Sequence, residues 1–232
     1  MKAGIIAAGL GERLRRGGIA TPKPLLVVGG RTLLERAIAS ATVAGAEEVA
    51  LIVNAESPEV ESYVRGRDWP VPVNVTVKTT PSSMESFFTL APALGDSPFL
   101  LLTVDALSPP GTLDKLAREG LAAGPTGALA VTDFVDDEKP LWVRIGEAGR
   151  IVALGQAAAR SGWVTSGAYF FHPVVYEHVA EARRQRLGAL REFLALLLEK
   201  SSPLWAVPVG KSVDVDRPED LPVAEEFVKA DG

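Results

Sequence analysis

The sequence predicts an α/β fold: a single Rossmann-like domain with a mostly parallel mixed sheet flanked by helices. Three observations carry that expectation. Apolar runs of strand length alternate with amphipathic segments of helix length along the chain. The 232 residues suit one large domain with a sizeable core, and no low-complexity linker marks off a second. The first apolar run leads straight into two glycines, at positions 9 and 11.

In chain order, Ala3–Ala8 is an apolar first strand, followed after the glycines by an amphipathic helix at Thr32–Ala44 that Gly45 closes. Val49–Val53 is a second buried strand and Pro58–Gly66 a second helix, with proline in its first turn. Pro70-Val71-Pro72 punctuates the approach to a strand at Val73–Lys78. Helix Ser83–Leu94, strand Phe99–Val104, helix Gly111–Leu121 and strand Ala128–Phe134 continue the alternation.

The rhythm then changes. Leu141–Ile145 and Arg150–Leu154, separated by Gly146-Glu147-Ala148-Gly149, predict a β-hairpin, and Val164–Phe171 a strand that returns to the main sheet. Gly155–Gly162 is the candidate mobile loop. Helices are expected near Val174–Arg184 and Ala189–Leu198, then a short strand Trp205–Val209 and a last helix after Pro218. Residues 1–134 thus read as one half of the domain and residues 135–232, with the hairpin and C-terminal helices, as the other.

A net charge of −5 argues against nucleic acid as a partner, which usually needs a basic surface. With no cysteine there are no disulfides, thiol nucleophiles or cysteine-bound metals. Ala3–Leu10 is at the short limit for a signal-peptide core, and Glu12, Arg13, Arg15 and Arg16 follow at once. No stretch approaches the roughly eighteen apolar residues of a membrane span. A cytoplasmic protein without a membrane partner is expected, with a homo-oligomer left open.

Chemistry concentrates first in Ala7-Ala8-Gly9-Leu10-Gly11-Glu12-Arg13 and Pro22-Lys23-Pro24-Leu25. A backbone that approaches a polyphosphate needs glycines, since a Cβ would clash and loops with free amides often need positive φ. Arg13 adds a planar fork of donors and Lys23 a compact ammonium, which suits several oxygens of one triphosphate. The dinucleotide fingerprint fails because position 14 is leucine, and no Gly-Lys-Ser/Thr is present for a Walker A loop.

This pattern resembles the nucleotidyltransferases that activate phosphorylated small molecules, whose signature is Ala-Ala-Gly-x-Gly-x-Arg followed by Pro-Lys-x-Leu. Gly29-Gly30-Arg31-Thr32-Leu33-Leu34-Glu35 continues in that family's manner. The resemblance implies the fold of the nucleotide-diphospho-sugar transferases, similar to glycosyltransferase type A. It also implies Mg²⁺ as cofactor, with a nucleoside triphosphate and a phosphorylated small-molecule acceptor as substrates and pyrophosphate as product. Ala7, Ala8, Gly9, Leu10, Gly11, Glu12, Arg13 and Lys23 would bind the nucleotide, with Arg13 and Lys23 as the catalytic cations.

Asp105 ends the apolar strand Phe99–Val104, at the strand edge where α/β sheets gather ligands. Capping the loop at Ser108-Pro109-Pro110 is the competing role; the resemblance implies a magnesium ligand. Asp214 and Asp216 lie two apart in an extended segment, so both face one side, and like charges so placed call for a cation between them. Here Asp216 and Arg217 replace the glycine and threonine of the family's usual Asp-x-Gly-Thr-Pro-Glu-Asp-Leu, as in the cytidylyltransferases of phosphocholine or inositol phosphate. That variant favours CTP, then UTP, and Asp216 as the main ligand with Asp214 in support. Glu219 and Asp220 need only a helix first turn.

In the family the turn Thr79–Ser86 reads the base, which makes Ser83, Glu85 and Ser86 candidates. The alternative is a Ser82 or Ser83 helix cap with Glu85 in the first turn. For the acceptor the candidates are Lys139, Ser166 and Gly167, with Trp142 equally a hairpin core residue. His172 and His178 lack ligand spacing. Rival readings are a molybdenum-cofactor or isoprenoid-pathway nucleotidyltransferase, a glycosyltransferase using a nucleotide sugar, and a silent regulatory subunit.

Overall fold

The structure, a computed structural model, describes residues 1–135 and 140–230. It opens with β1 (Lys2–Ala7), α1 (Glu12–Arg16), a two-residue hairpin of β2 (Val27–Val28) and β3 (Arg31–Thr32), and α2 (Leu33–Val43). Next come β4 (Glu48–Val53), α3 (Pro58–Arg65), β5 (Val73–Val77), α4 (Ser83–Leu94), β6 (Phe99–Thr103), β7 (Ala106–Leu107), α5 (Thr112–Ala123) and β8 (Gly127–Thr132). The chain continues through β9 (Val143–Ile145), β10 (Ile151–Leu154), β11 (Val164–Phe171), α6 (Val179–Arg184), α7 (Leu190–Glu199), β12 (Leu204–Pro208), β13 (Val213–Asp214) and α8 (Asp220–Ala230).

The main sheet has seven strands in the order β12-β8-β11-β6-β1-β4-β5. Only β11 runs against the others, between β6 and β8. The sheet therefore takes strands from both halves of the chain. Its central strands are apolar along their whole length because helices cover both faces. On β1, Ile5 joins the core under α2, α3, α5 and α8, while the neighbouring Ile6 faces the core under α4, α6 and α7. Phe87 of α4 anchors the second core, with ring centroids 5.9 Å from Phe171 and 6.1 Å from Phe193.

Local chemistry fixes the element starts. Thr32 and Glu35 form a capping box at the head of α2, and Ser82 caps α4 by accepting the Glu85 amide. Three features differ from expectation. The segment 12–16 is a helix, the region 174–178 is a 3-10 turn (Pro173–His178) rather than α-helix, and the candidate mobile loop is pinned. In that loop Ala158 is buried, the Ser161 hydroxyl donates to the Val143 carbonyl at 2.7 Å, and Arg144 donates to the Ala157 carbonyl at 2.6 Å. Among the described residues no helix is long and apolar enough to cross a membrane.

Candidate active site

Strand β1 delivers Ala7 and Ala8 to the rim of the sheet with their side chains buried, so only their backbone can serve a ligand there. Gly11 then takes φ +62° and ψ 38°, the left-handed conformation that glycine adopts without strain, and caps α1. A Cβ on Gly9 would meet nothing within 4 Å. Protein packing therefore does not require a glycine at position 9, and the bare backbone leaves open space for an approaching group. Leu10 completes the turn, while Glu12 bonds Arg16 at 3.1 Å. Glu12 belongs to that surface pair and not to an anion clamp.

Lys23 begins a 3-10 turn, Lys23–Leu25, behind Pro22 and is only 8% exposed. Its ammonium lies 2.5 Å from Asp105 Oδ2 and 2.5 Å from Asp216 Oδ1. Arg13 holds the other oxygen of Asp216 at 3.0 Å. Burial alone would lower the Lys23 pKa, but the charges of Asp105 and Asp216 outweigh it and hold the ammonium above its ordinary value. Burial likewise pushes the Asp105 carboxyl up, and Lys23 overrides it downwards.

A small ladder brings the two carboxylates together across 111 positions (216 − 105). Strand β13 pairs antiparallel with β7, and the Val215 amide donates to the Asp105 carbonyl. Asp220 accepts from the amides of both Asp216 and Arg217 at 2.7 Å, so its role is the helix start. Pro218 packs so closely on Gly17 that a Cβ there would fall 2.3 Å from Pro218 Cγ.

Arg13, Asp105 and Asp216 border a polar cavity of about 410 Å³ whose walls also include Ser83, Thr103, Gly167, Tyr169, Arg191, Asp214 and Arg217, while Lys23 and Gly9–Gly11 are not among its lining residues. Burial pushes the Tyr169 phenol up to about 12, so it stays a protonated hydrogen-bonding group. Of the base-reading candidates only Ser83 lines this cavity. Glu85 gives both oxygens to Arg183, at 3.0 and 2.8 Å, and Ser86 is buried 2.6 Å from the Thr80 hydroxyl. Of the acceptor candidates, Gly167 lines the cavity, Ser166 is buried beside a different one, and Lys139 lies outside the described residues. His178 bonds Ser202, and neither His178 nor His172 lines the cavity.

The expected trio of metal ligands is not drawn into a cage. Among the described residues no three Asp, Glu, His or Cys side chains stand together in metal-binding geometry, and Asp214 is exposed on the cavity wall. A pair remains. Asp105 and Asp216 converge on one cation, and Mg²⁺ is commonly held by one or two carboxylates with substrate phosphates and waters completing its shell. The donor set fits that mode.

Asn54 went unnoticed in the sequence, although it is a polar residue at the carboxyl end of an apolar parallel strand. It is 3% exposed; its amide donates to the Ala8 carbonyl at 2.8 Å, and its oxygen accepts from the Thr79 hydroxyl at 2.8 Å and the Glu56 amide at 2.9 Å. It ties the glycine turn to the Thr79–Ser86 turn. Asn54→Ala is expected to cost about 2 kcal/mol, the price of leaving buried partners unsatisfied. Urea denaturation measures this, and a loss below about 0.5 kcal/mol, ordinary for a neutral surface change, would contradict the bracing role.

A sheet of this order, with a glycine turn and two carboxylates gathered near one rim, has the nucleotide-diphospho-sugar transferase fold. The chain belongs to the MobA-like NTP transferase domain family, whose model matches residues 3–200. It is 29% identical over 97% of its length to a bifunctional IPC transferase and DIPP synthase of Rubrobacter xylanophilus, and the match covers 51% of that protein. It is also 29% identical over 60% of its length to a CMP-5'-(3-aminopropyl)phosphonate synthase of Streptomyces rubellomurinus, covering 25% of it. The chain thus spans about half of the first relative and a quarter of the second. In fold it is similar to an inositol-1-phosphate CTP transferase from T. maritima, with TM-score 0.84, 23% identity, and coverage of 98% of this chain and 95% of that one.

Proposed function

We propose that the chain is a Mg²⁺-dependent nucleotidyltransferase that joins a nucleoside triphosphate to a phosphorylated sugar, polyol or amino-alcohol and releases pyrophosphate. The observation that carries the reading is Lys23, a buried ammonium held between two carboxylates and packed against the glycine turn at Gly11. An acceptor phosphate is already ionised near neutral pH, so no side chain need act as nucleophile. Its oxygen attacks the α-phosphorus in line, the bond from that phosphorus to the bridging oxygen breaks, and the electron pair leaves with pyrophosphate. The chain's task is to align and neutralise anions.

Lys23 is placed to exchange its carboxylates for an α-phosphate oxygen. The backbone of Gly9 to Gly11, with Arg13, receives the outer phosphates. Asp105 and Asp216, with Asp214 nearby, would hold Mg²⁺, which supplies charge neutralisation at the phosphates when bound. Gly167, Tyr169 and Arg191 face the remaining space, where the acceptor fits. A glycosyltransferase releases no pyrophosphate and gains nothing from the Arg13 and Lys23 pair. A silent regulatory chain would have no reason to retain every one of these groups.

CTP is the expected donor, with UTP second. The Asp214-Val215-Asp216 variant supports that order, and the CTP and CMP in the names of two similar proteins support its first member. Other relatives are guanyl- and thymidylyltransferases, so the base is the finer point. Pyrophosphate release measured with four triphosphates against sugar 1-phosphates, inositol phosphate and phosphocholine tests both levels. Preference for GTP or ATP would overturn the base assignment, and no release with any pair would overturn the reaction.

A further inference from the structure

Four charged side chains close on one another near the rim of the sheet. The Lys23 ammonium is bonded to Asp105 Oδ2 and Asp216 Oδ1, both at 2.5 Å, and the Arg13 guanidinium takes Asp216 Oδ2 at 3.0 Å. Two cations thus neutralise two carboxylates. The match has a chemical meaning, because the cations are the pair proposed to receive the phosphates and the carboxylates are the pair proposed to hold Mg²⁺. In the free chain each half of the site is the counter-ion of the other.

The surrounding structure keeps the quartet together. Lys23 starts a turn between Pro22 and Pro24, and a Cβ on Gly11 would lie 3.4 Å from Lys23 Cβ, so the stem of the side chain is packed and its tip is the part free to swing. The Asp216 amide donates to Asp220 at 2.7 Å, and the Asp105 carbonyl accepts the Val215 amide at 3.2 Å, which fixes the backbone beneath both carboxylates. A divalent ion bound to the two oxygens that hold Lys23 would stand against its ammonium. Only 9% of the Lys23 side chain is exposed, so water and salt screen that repulsion poorly.

Phosphate oxygens resolve the conflict. An anion that draws the ammonium and the guanidinium away frees the carboxylates for a metal, and the metal in turn removes the negative charge that would repel the anion. Resting on the reading of the site given above, we propose that metal and triphosphate bind this chain as a coupled pair. Lys23 and Arg13 keep the metal ligands occupied until phosphate takes the two cations away, and Asp105 and Asp216 weaken the hold on a triphosphate that arrives without metal. Such coupling is reciprocal by thermodynamic necessity.

Mn²⁺ and inorganic tripolyphosphate, each offered alone to the full chain, test the two directions. Mn²⁺ titrated into the nucleotide-free chain and followed by electron paramagnetic resonance should bind Lys23→Met about tenfold more tightly than the parent, within the range usual for coupled sites. Adding Asp105→Asn and Asp216→Asn to that variant should abolish the increase, which places the extra affinity on this pair. In excess chelator, calorimetry should show tripolyphosphate binding the Asp105→Asn plus Asp216→Asn chain about tenfold more tightly than the parent, although the same variant is expected to lose turnover. Mn²⁺ affinity of Lys23→Met equal to the parent's overturns the proposal, as does unchanged or weaker tripolyphosphate binding in the double asparagine variant. Should Lys23→Met fail to fold, the tripolyphosphate arm decides alone. Neither probe carries a base or an acceptor and neither arm reads turnover, so a failure of this coupling and a failure of the nucleotidyl-transfer assay are told apart.

Discussion

Lys23→Ala lowers turnover by about two to four orders of magnitude, the scale of losing a charged contact that acts in the transition state. The residue is buried, starts a turn fixed by Pro22 and Pro24, and holds the only side-chain amine among the described residues that reaches both Asp105 and Asp216. Its removal also leaves the Asp105 carboxylate without its cation, at a stability cost on the order of 3 kcal/mol. Kinetics on the folded variant, checked by circular dichroism, separate the two effects. Turnover equal to the parent chain would sink the assignment of Lys23 to the α-phosphate.

The same ion pairs set a pH window for stability. Asp105 has a depressed pKa in the fold, so its contribution is present above the ordinary carboxylate value and is lost as pH falls through the folded one. Lys23 has a raised pKa, so its contribution is complete below its ordinary 10.5 and is lost only as pH climbs past it. Stability should therefore be flat, as far as this cluster is concerned, from about pH 4 to about pH 10.

Asp105→Asn and Asp216→Asn should each remove about two to three orders of magnitude in turnover, and the double substitution should cost far less than the product. Groups that act as a unit behave this way, since the first loss already disables the second. Sharing one cation makes them a unit, whether that cation is the Lys23 ammonium seen here or Mg²⁺ with substrate. Asp214→Asn should be milder, because Asp214 is exposed and is not drawn into the pair. Excess chelator should abolish the activity and added Mg²⁺ restore it. Multiplicative losses, or full activity in chelator, would show that the carboxylates hold no common catalytic cation.

The main sheet was legible because buried parallel strands write themselves as apolar runs. Lys23 and the two aspartates stood out because each has an unusual neighbourhood in the chain. What escaped is short or distant. β2 and β3 have two residues each, though Gly29-Gly30, both at positive φ, is a hairpin signal that was readable. The β7–β13 ladder joins segments with nothing local to announce the pairing. Ser166 does not line the polar cavity beside Gly167, and a bulge such as the one between Thr165 and Tyr169, which can move a residue to another face, is not written in strand alternation. Glu85 and Ser86 do not line the cavity with Ser83 because two or three positions along a helix turn a side chain by roughly 200° to 300°. Glu85 then finds Arg183, a partner that no spacing in the chain reveals.

The dependence of the glycine turn on the far end of the chain also sets an order of manufacture. Lys23 and Asp216 are 193 positions apart, and Pro218, Glu225 and Val228 all press on the segment from Gly17 to Gly29. A ribosome working at about 5–20 residues per second needs roughly ten to forty seconds to cover that distance. The loop made first is thus completed last. Throughout that interval a nascent chain carries Arg13 and Lys23 without the aspartate that pairs with both, and premature termination anywhere between residues 23 and 216 yields a molecule with the glycines but without that pairing.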